Sequence, residues 1–145
     1  MGFAIGSVDL HLAPWGQIHE LLDACYEQPP RNVFDLVAAS SHRQQQLWLA
    51  TERNRIVGMI MLSPHSKGGH LENLAVDCSA RGRGLAKLLV HELLSSVEQR
   101  GPSVVTLTTR IPDFFSTLGF RACGQLADGS IPMVIVLPNR GHLAD

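Results

Sequence analysis

The alternation of apolar and polar positions divides the chain into short strands and amphipathic helices punctuated by glycine and proline. Phe3 to Val8 is a short apolar run beside Gly2 and around Gly6, which predicts an edge strand. After Pro14, the residues Ile18, Leu21, Leu22 and Cys25 recur at spacings of 3, 1 and 3, the stripe of a helix ended by Pro29 and Pro30. Val33, Leu36 and Val37 predict a second, shorter helix running into Ser40 and Ser41. Gln46 to Thr51 then alternates, with Leu47, Leu49 and Thr51 on one side and Gln46, Trp48 and Ala50 on the other. The polar stretch Glu52 to Arg55 turns the chain into Ile56 to Leu62, so the pair reads as a hairpin. Pro64 to Gly69 predicts a loop, and His70 to Val76 another strand. Gly82 to Arg100 carries Leu85, Leu88, Leu89, Leu93 and Val97 at helical spacing until Gly101 and Pro102 stop it. Val104 to Thr108 reads as a β-branched strand, Pro112 to Leu118 as a short helix closed by Gly119, and Met133 to Leu137 as a last strand.

A strand, helix and strand over residues 70–108 imply a parallel pair joined by a right-handed crossover, while the hairpin implies antiparallel neighbours. The expected fold class is therefore α/β of the α+β type, a mixed and mainly antiparallel sheet with helices on both faces.

Composition narrows the setting. A chain of 145 residues, 45% hydrophobic and 17% charged, is expected to form one domain over 1–145, with a polar C-terminal tail over 139–145. Twelve basic against thirteen acidic side chains give a net charge of -1, so no electrostatic footprint for nucleic acid or an anionic membrane is expected. Cys25, Cys78 and Cys123 are odd in number and widely spaced, which predicts neither a disulfide framework nor a zinc site and fits a cytoplasmic protein. Met1 to Leu10 lacks a basic flank and a long apolar core, so no signal peptide is expected, and no run approaches the ~20 apolar residues that span a bilayer. The histidines at 11, 19, 42, 65, 91 and 142 form no i, i+4 pair, so no metal is expected. Trp15 and Trp48 are read as packing residues rather than as the lining of a site.

The chemistry is concentrated in Leu74-Ala75-Val76-Asp77-Cys78-Ser79-Ala80-Arg81-Gly82-Arg83-Gly84-Leu85-Ala86, where a strand passes through a glycine-containing turn into the strongest helix. The first amides of a helix have no intrahelical partner and the dipole's positive end points outward, so an anionic phosphate is a natural guest there. Gly82 and Gly84 remove side chains that would hold a pyrophosphate away, and Arg81, Arg83 and Lys87 add positive charge. Lys87 stands where the dinucleotide fingerprint needs its third glycine, and no Gly-Lys-Ser/Thr completes a Walker loop. The alternative reading of Arg-Gly-Arg-Gly is a solvated helix entry.

Arg81-x-x-Gly84-x-Ala86 resembles the coenzyme A signature of the GNAT superfamily of acyl-CoA N-acyltransferases, and Leu74-Ala-Val-Asp is similar to its usual lead-in. Phe114-Phe115-Ser116-Thr117-Leu118-Gly119-Phe120 resembles the family's helix-to-strand ending. The resemblance covers roughly residues 45–137 and implies acetyl-CoA as donor, with the amides of Gly82, Arg83, Gly84, Leu85 and Ala86 on its pyrophosphate. It also implies a splayed strand whose backbone at Leu74, Ala75 and Val76 binds the pantetheine arm, the Val76 amide polarising the thioester carbonyl. Thr108 and Phe115 fall beside the coenzyme by the same resemblance.

An ammonium must lose a proton before it attacks, so a base is expected. His70 and Glu72, two residues apart on a strand, are read as projecting from one face, roughly 7 Å apart, together with Leu74 and Val76. His70 is preferred for proton removal and Glu72 for contact with the substrate ammonium. The family often protonates the departing thiolate with a tyrosine at the second aromatic position of the ending, but here that residue is Phe115. Water, Thr108 or Ser116 are the remaining donors, and Tyr26, the sole tyrosine, lies in the first helix. The expected function is transfer of an acetyl group from acetyl-CoA to a primary amine of a small molecule or amino acid, by direct attack in a ternary complex. The alternatives are a non-catalytic acyl-CoA-binding or sensing module and a protein N-terminal or lysine acetyltransferase. The partner expected is a small-molecule amine, with a homodimer left open.

Overall fold

The computed structural model describes residues 2–27 and 32–138. Pro29, Pro30, His142 and the tail over 139–145 lie outside the described residues. Seven strands form one sheet in the order β1-β2-β3-β4-β5-β7-β6: β1 Ala4–Val8, β2 Gln46–Glu52, β3 Arg55–His65, β4 Gly68–Val76, β5 Ser103–Thr109, β6 Arg121–Ala122 and β7 Ile131–Leu137. Every neighbouring pair is antiparallel except β4 with β5. Helices α1 Trp15–Cys25 and α2 Val33–His42 cover one face, and α3 Leu85–Glu98 covers the other with α4 Pro112–Ser116 beside it.

Both sheet faces are apolar because both are covered. Leu47, Leu49, Met59 and Met61 meet Ile18, Leu21 and Leu22 of α1, whereas Trp48, Ile60 and Leu62 meet Leu85, Leu89 and Leu93 of α3. The alternation along Gln46–Glu52 thus separates two cores rather than core from solvent. Trp48 is buried in the α3 core, and the Trp15 indole N–H donates to the Leu10 carbonyl. No helix of the described residues is long and apolar enough to cross a membrane.

The two hairpins show different turn chemistry. Arg53 and Asn54 both take positive φ, 53° and 63°, between the paired residues Glu52 and Arg55, the geometry of a two-residue hairpin turn. The loop expected over Pro64 to Gly69 is instead ladder: Pro64 pairs with Gly69 and His65 with Gly68, leaving only two residues to turn. The glycines there serve close backbone approach. A Cβ on Gly69 would lie 2.7 Å from the Leu62 side chain, and one on Gly68 would lie 2.0 Å from the Val104 carbonyl oxygen.

β4 is the strand that departs from simple alternation. Its pairing with β5 lasts only from Gly68 with Val104 to His70 with Thr106, after which the two strands part. A bulge faces β3 between Met59 and Met61, with Asn73 at φ 55°. Asparagine tolerates that left-handed geometry better than its apolar neighbours would. The extra residue reverses the faces: Leu71 packs in the α3 core, yet Leu74 and Val76 also pack there and Ala75 faces the α1 core. The expectation that His70 and Glu72 share a face with Leu74 and Val76 is therefore corrected, because strict alternation ends at the bulge.

Beyond β4 the chain makes a single 3-10 turn, Cys78–Ala80, before α3. Asp77 caps this turn, accepting from the Ser79 amide at 3.0 Å and from the Ser79 hydroxyl, and pairs with Arg55 at 2.8 Å. The Ser79 hydroxyl, its amide and the Arg55 and Arg81 charges hold the Asp77 carboxyl below its ordinary value. The helix expected from Gly82 begins at Leu85, because Gly82 and Gly84 adopt φ 76° and 77° and Gly84 serves as its N-cap.

Two outcomes are expected. Gly68→Ala forces a Cβ into the Val104 carbonyl at a left-handed φ, and costs about 1–3 kcal/mol through backbone strain alone, read as a lowered urea midpoint. Asp77→Asn lowers the melting temperature at neutral pH. Since the folded-state carboxyl titrates below its unfolded value, its contribution is complete above about pH 4 and fades as pH falls through the folded value. The gap between Asp77→Asn and the native chain should close in acid, and a gap constant down to about pH 2 would contradict the assignment.

Candidate active site

Where β4 and β5 part, a backbone edge loses its ladder partner, and the wedge between them opens into a cleft of about 1060 Å³. Its walls include His70 to Val76 of β4, Leu107 to Thr109 of β5, Cys25 and Tyr26 at the end of α1, Ser40 and Arg43 at the end of α2, and Phe115 of α4. The ladder with β3 uses Ala75 and the Asp77 amide, so Leu74 and Val76 turn their backbone groups toward the wedge. Side chains take up the exposed carbonyls. The Tyr26 hydroxyl donates to the Leu74 carbonyl at 2.6 Å, and the Val76 carbonyl accepts from Arg81 Nε at 3.1 Å and from the Cys25 thiol at 3.5 Å. Burial, with Cys25 beside it adding to the effect, pushes the Tyr26 phenol up to about 12.

Tyr26 sits one residue past α1 and not inside it, with its amide bonded to the Leu22 carbonyl. Sequence reasoning left its reach open, since only the tertiary arrangement places it 48 residues away on β4. Cys25 also lines the cleft, whereas Cys78, at the turn that follows β4, is exposed and does not.

His70 and Glu72 are both in the cleft on the side roofed by α1 and α2. His70 Nδ1 lies 2.7 Å from Thr106 Oγ1, its register partner on β5. Glu72 accepts from Arg43 Nη1 at 3.1 and 3.3 Å and from Gln45 Nε2 at 2.5 Å, while Gln45 also donates to Ser63. Arg43, Gln45 and Ser40 carry no motif, and the signal that could have found them is weak: polar residues where α2 ends and β2 begins.

The turn expected to hold phosphate lies past Arg81 at the end of the cleft. Gly82, Arg83, Gly84 and Lys87 are exposed, Ala86 is half-buried, and Leu85 places its side chain in the core. An added Cβ on Gly82 or Gly84 would meet nothing within 4 Å, so the missing side chains leave open space over the turn. No side chain caps α3, and its first-turn amides remain available to an anion. The residues thus fit a pyrophosphate.

Arg83 is placed differently from the expectation that its charge faces phosphate. Its guanidinium forks onto Glu52 at 3.0 and 2.6 Å and stacks on the Phe3 ring at 4.3 Å, holding the Glu52 carboxyl below its ordinary value. It borders a second hollow of about 500 Å³ with Glu52 and Arg55, away from the main cleft. Thr108 is exposed on the β5 wall, and Phe115 is buried with its ring edge-to-face against Phe114 and Phe120. Ser116 does not line the cleft. Among the described residues no group of three or more His, Cys, Asp or Glu could hold a metal ion.

Residues 18–130 match the family model described as an acetyltransferase (GNAT) domain. The peptidyl-lysine N-acetyltransferase YjaB of Escherichia coli strain K12 is 29% identical over 108 residues, 74% of this chain and 68% of that protein. A glucosamine 6-phosphate N-acetyltransferase of Trypanosoma brucei brucei is 32% identical over 117 residues, covering 71% of this chain and 80% of that one. Among solved structures, the ribosomal-protein-S18-alanine N-acetyltransferase from Escherichia coli superposes with a TM-score of 0.82 over 98% of each chain at 17% identity. An aminoglycoside 6'-N-acetyltransferase complexed with coenzyme A superposes at 0.79 over 92% of this chain and 96% of that one, at 20% identity. Such low identities speak for the fold, and the family model and the 32% relative speak for more: the chain belongs to the GNAT family of acetyltransferases and takes its acyl group from acetyl-CoA.

Proposed function

We propose that the protein transfers an acetyl group from acetyl-CoA to a primary amine of a small molecule or amino acid, by direct attack with both substrates bound. The observation that carries this reading is the split of β4 from β5 beyond His70, which turns the backbone of Leu74 and Val76 into a cleft that also holds two proton-handling side chains. Acetyl-CoA supplies an activated acyl thioester. The amides from Gly82 to Lys87 and the Arg81 charge hold its phosphates, Leu74 to Val76 align the pantetheine arm along the freed edge between Thr108 and Phe115, and the Val76 N–H donates to the thioester carbonyl.

The bulge at Asn73 divides the labour on β4: the edge after it serves the coenzyme, and His70 and Glu72 before it project toward the α1 and α2 side, where the amine enters. Glu72 attracts the ammonium. In the tautomer that donates Nδ1–H to Thr106, His70 keeps the Nε2 lone pair to accept the proton that the amine must lose. Phe115 has no proton to give the departing sulfur, and we assign that contact to the Tyr26 hydroxyl, which lines the same cleft at the Leu74 carbonyl. A phenol, ordinarily near ~10, is a weaker acid than a thiol at about 8.5, so Tyr26 stabilises the thiolate as a hydrogen-bond donor rather than by full proton transfer. Binding of the pantetheine arm at Leu74 frees this hydroxyl for the sulfur. The three free cysteines support a reducing, cytosolic setting as part of the same proposal.

A protein lysine acceptor is the second reading, favoured by the likeness to a peptidyl-lysine N-acetyltransferase. An amine panel that includes lysine peptides, read by thiol release, decides between the two. Acetyl-CoA at a hundredfold excess over its Kd should stabilise the fold by about 2.7 kcal/mol, and no shift at such excess would sink the proposal. His70→Ala combined with Glu72→Ala should lower kcat/KM by about a hundredfold or more, and an unchanged value across pH would remove both from the mechanism. Tyr26→Phe should lower kcat roughly tenfold and leave the KM of the amine little changed. The opposite split would make Tyr26 a substrate-binding residue.

A further inference from the structure

Polar side chains at the acceptor end of the cleft are arranged beyond what binding a bare amine requires. Ser40 and Arg43, three residues apart at the end of α2, lie on one face of that helix and both line the cleft. Ser40 is 1% exposed, and its hydroxyl is buried without a hydrogen-bond partner among the described residues. A buried hydroxyl with no partner costs free energy, so its retention in the wall of a cleft points to a polar group on the ligand. Arg43 contacts Glu72 through Nη1 alone, at 3.1 and 3.3 Å from the two carboxylate oxygens. Among the described residues its Nη2 and Nε edge has no partner, and a guanidinium fork is matched to a carboxylate. Gln45 donates to the same Glu72 Oε2 at 2.5 Å, so the carboxylate and the guanidinium are held next to each other on the wall. Across the cleft, Arg110 is spent on its own loop, with Asp128 receiving it through both its carbonyl at 3.1 Å and its carboxylate at 3.5 Å.

Resting on the acetyltransferase reading above, we infer that the acceptor is a free α-amino acid, its ammonium on Glu72 and its α-carboxylate on Arg43 and Ser40. A zwitterion presents opposite charges on neighbouring atoms of one carbon, and the Glu72–Arg43 pair presents the complementary charges side by side. A lysine side chain in a protein, or a simple alkylamine, leaves the Arg43 fork and the Ser40 hydroxyl unanswered. Discrimination of this kind is strong because the penalty falls on buried polar groups left without a partner.

The test begins with the twenty common α-amino acids under saturating acetyl-CoA, followed by the methyl ester and the decarboxylated amine of the best one. The free acid should exceed both in kcat/KM by roughly ten- to a hundredfold. Arg43→Ala should abolish that ratio and Arg43→Lys should keep part of it. Calorimetry of the amino acid against protein loaded with coenzyme A should show a matching loss of affinity in Arg43→Ala, independent of turnover. Arg43 is exposed, and a melting temperature near that of the native chain establishes that the variant folds. If the ester or the decarboxylated amine reacts as well as the acid, or the ratio survives Arg43→Ala, the inference falls while the acetyltransferase reading stands. If no amino acid releases thiol while a lysine peptide or another small amine does, the inference falls and the acetyltransferase reading stands.

Discussion

The separation of β4 from β5 after three paired residues is the constraint on which the rest of the structure depends. Parallel pairing holds from Gly68 to His70 and then ends, although both strands continue. A strand that leaves its ladder must satisfy its backbone groups some other way or leave them to solvent. Here the Leu74 carbonyl is met by Tyr26 and the Val76 carbonyl by Arg81 and Cys25, side chains drawn from the end of α1 and from the glycine turn. Gly68 fixes where the contact begins, because only a residue without Cβ can pass so close to the Val104 carbonyl.

That arrangement ties the coenzyme edge to the turn that follows it. Asp77 leaves β4 by bonding its amide to the Val57 carbonyl and uses its carboxylate to cap the 3-10 turn, so the position of Arg81 is set from two directions. Arg83 anchors the same loop to the β2–β3 hairpin through Glu52 and to the residue before β1 through the Phe3 ring. Of the three cations around the α3 N-terminus, Arg83 therefore shapes the turn, Arg81 reaches the Val76 carbonyl and Lys87 is exposed. A net charge of -1 is compatible with a phosphate site for this reason: the site works through oriented amides and a local excess, not through overall charge.

What could be read from the sequence was whatever depends on local period and on glycine. The α1 stripe, the alternation of Gln46–Glu52, the α3 stripe of leucines and the Arg81-x-x-Gly84-x-Ala86 turn each encode their element within a short local stretch. The bulge at Asn73 was not legible because it is one residue in a strand that otherwise alternates, and its consequence, the reversal of faces between Glu72 and Leu74, appears only once β3 is paired against it. The extension of β3 and β4 through Pro64 to Gly69 was missed because glycine was read as a turn signal when it was needed for close approach. Tyr26 and Arg43 meet β4 across 48 and 29 residues, and no spacing rule carries such information.

The carbonyls that Tyr26 and Arg81 occupy are those that a pantetheine arm needs, and this has a consequence for how the proposed reaction is ordered. Under the proposed reaction the arm competes with the phenol for the Leu74 carbonyl, and a displaced phenol would be free to turn toward the thioester. On that proposal the hydroxyl takes up its working position once coenzyme is bound. Arg81 would make the same exchange at Val76, from a carbonyl to a phosphate, a stronger partner for a guanidinium. Both displaced groups come to rest on the incoming ligand, so the free-energy cost of opening the edge is offset within one binding event. On the same proposal, an amine arriving first would find the His70 and Glu72 end formed but the Leu74 and Val76 carbonyls still held by these side chains. The same contacts that satisfy the split sheet in the absence of ligand therefore favour a sequence in which coenzyme binds before the amine.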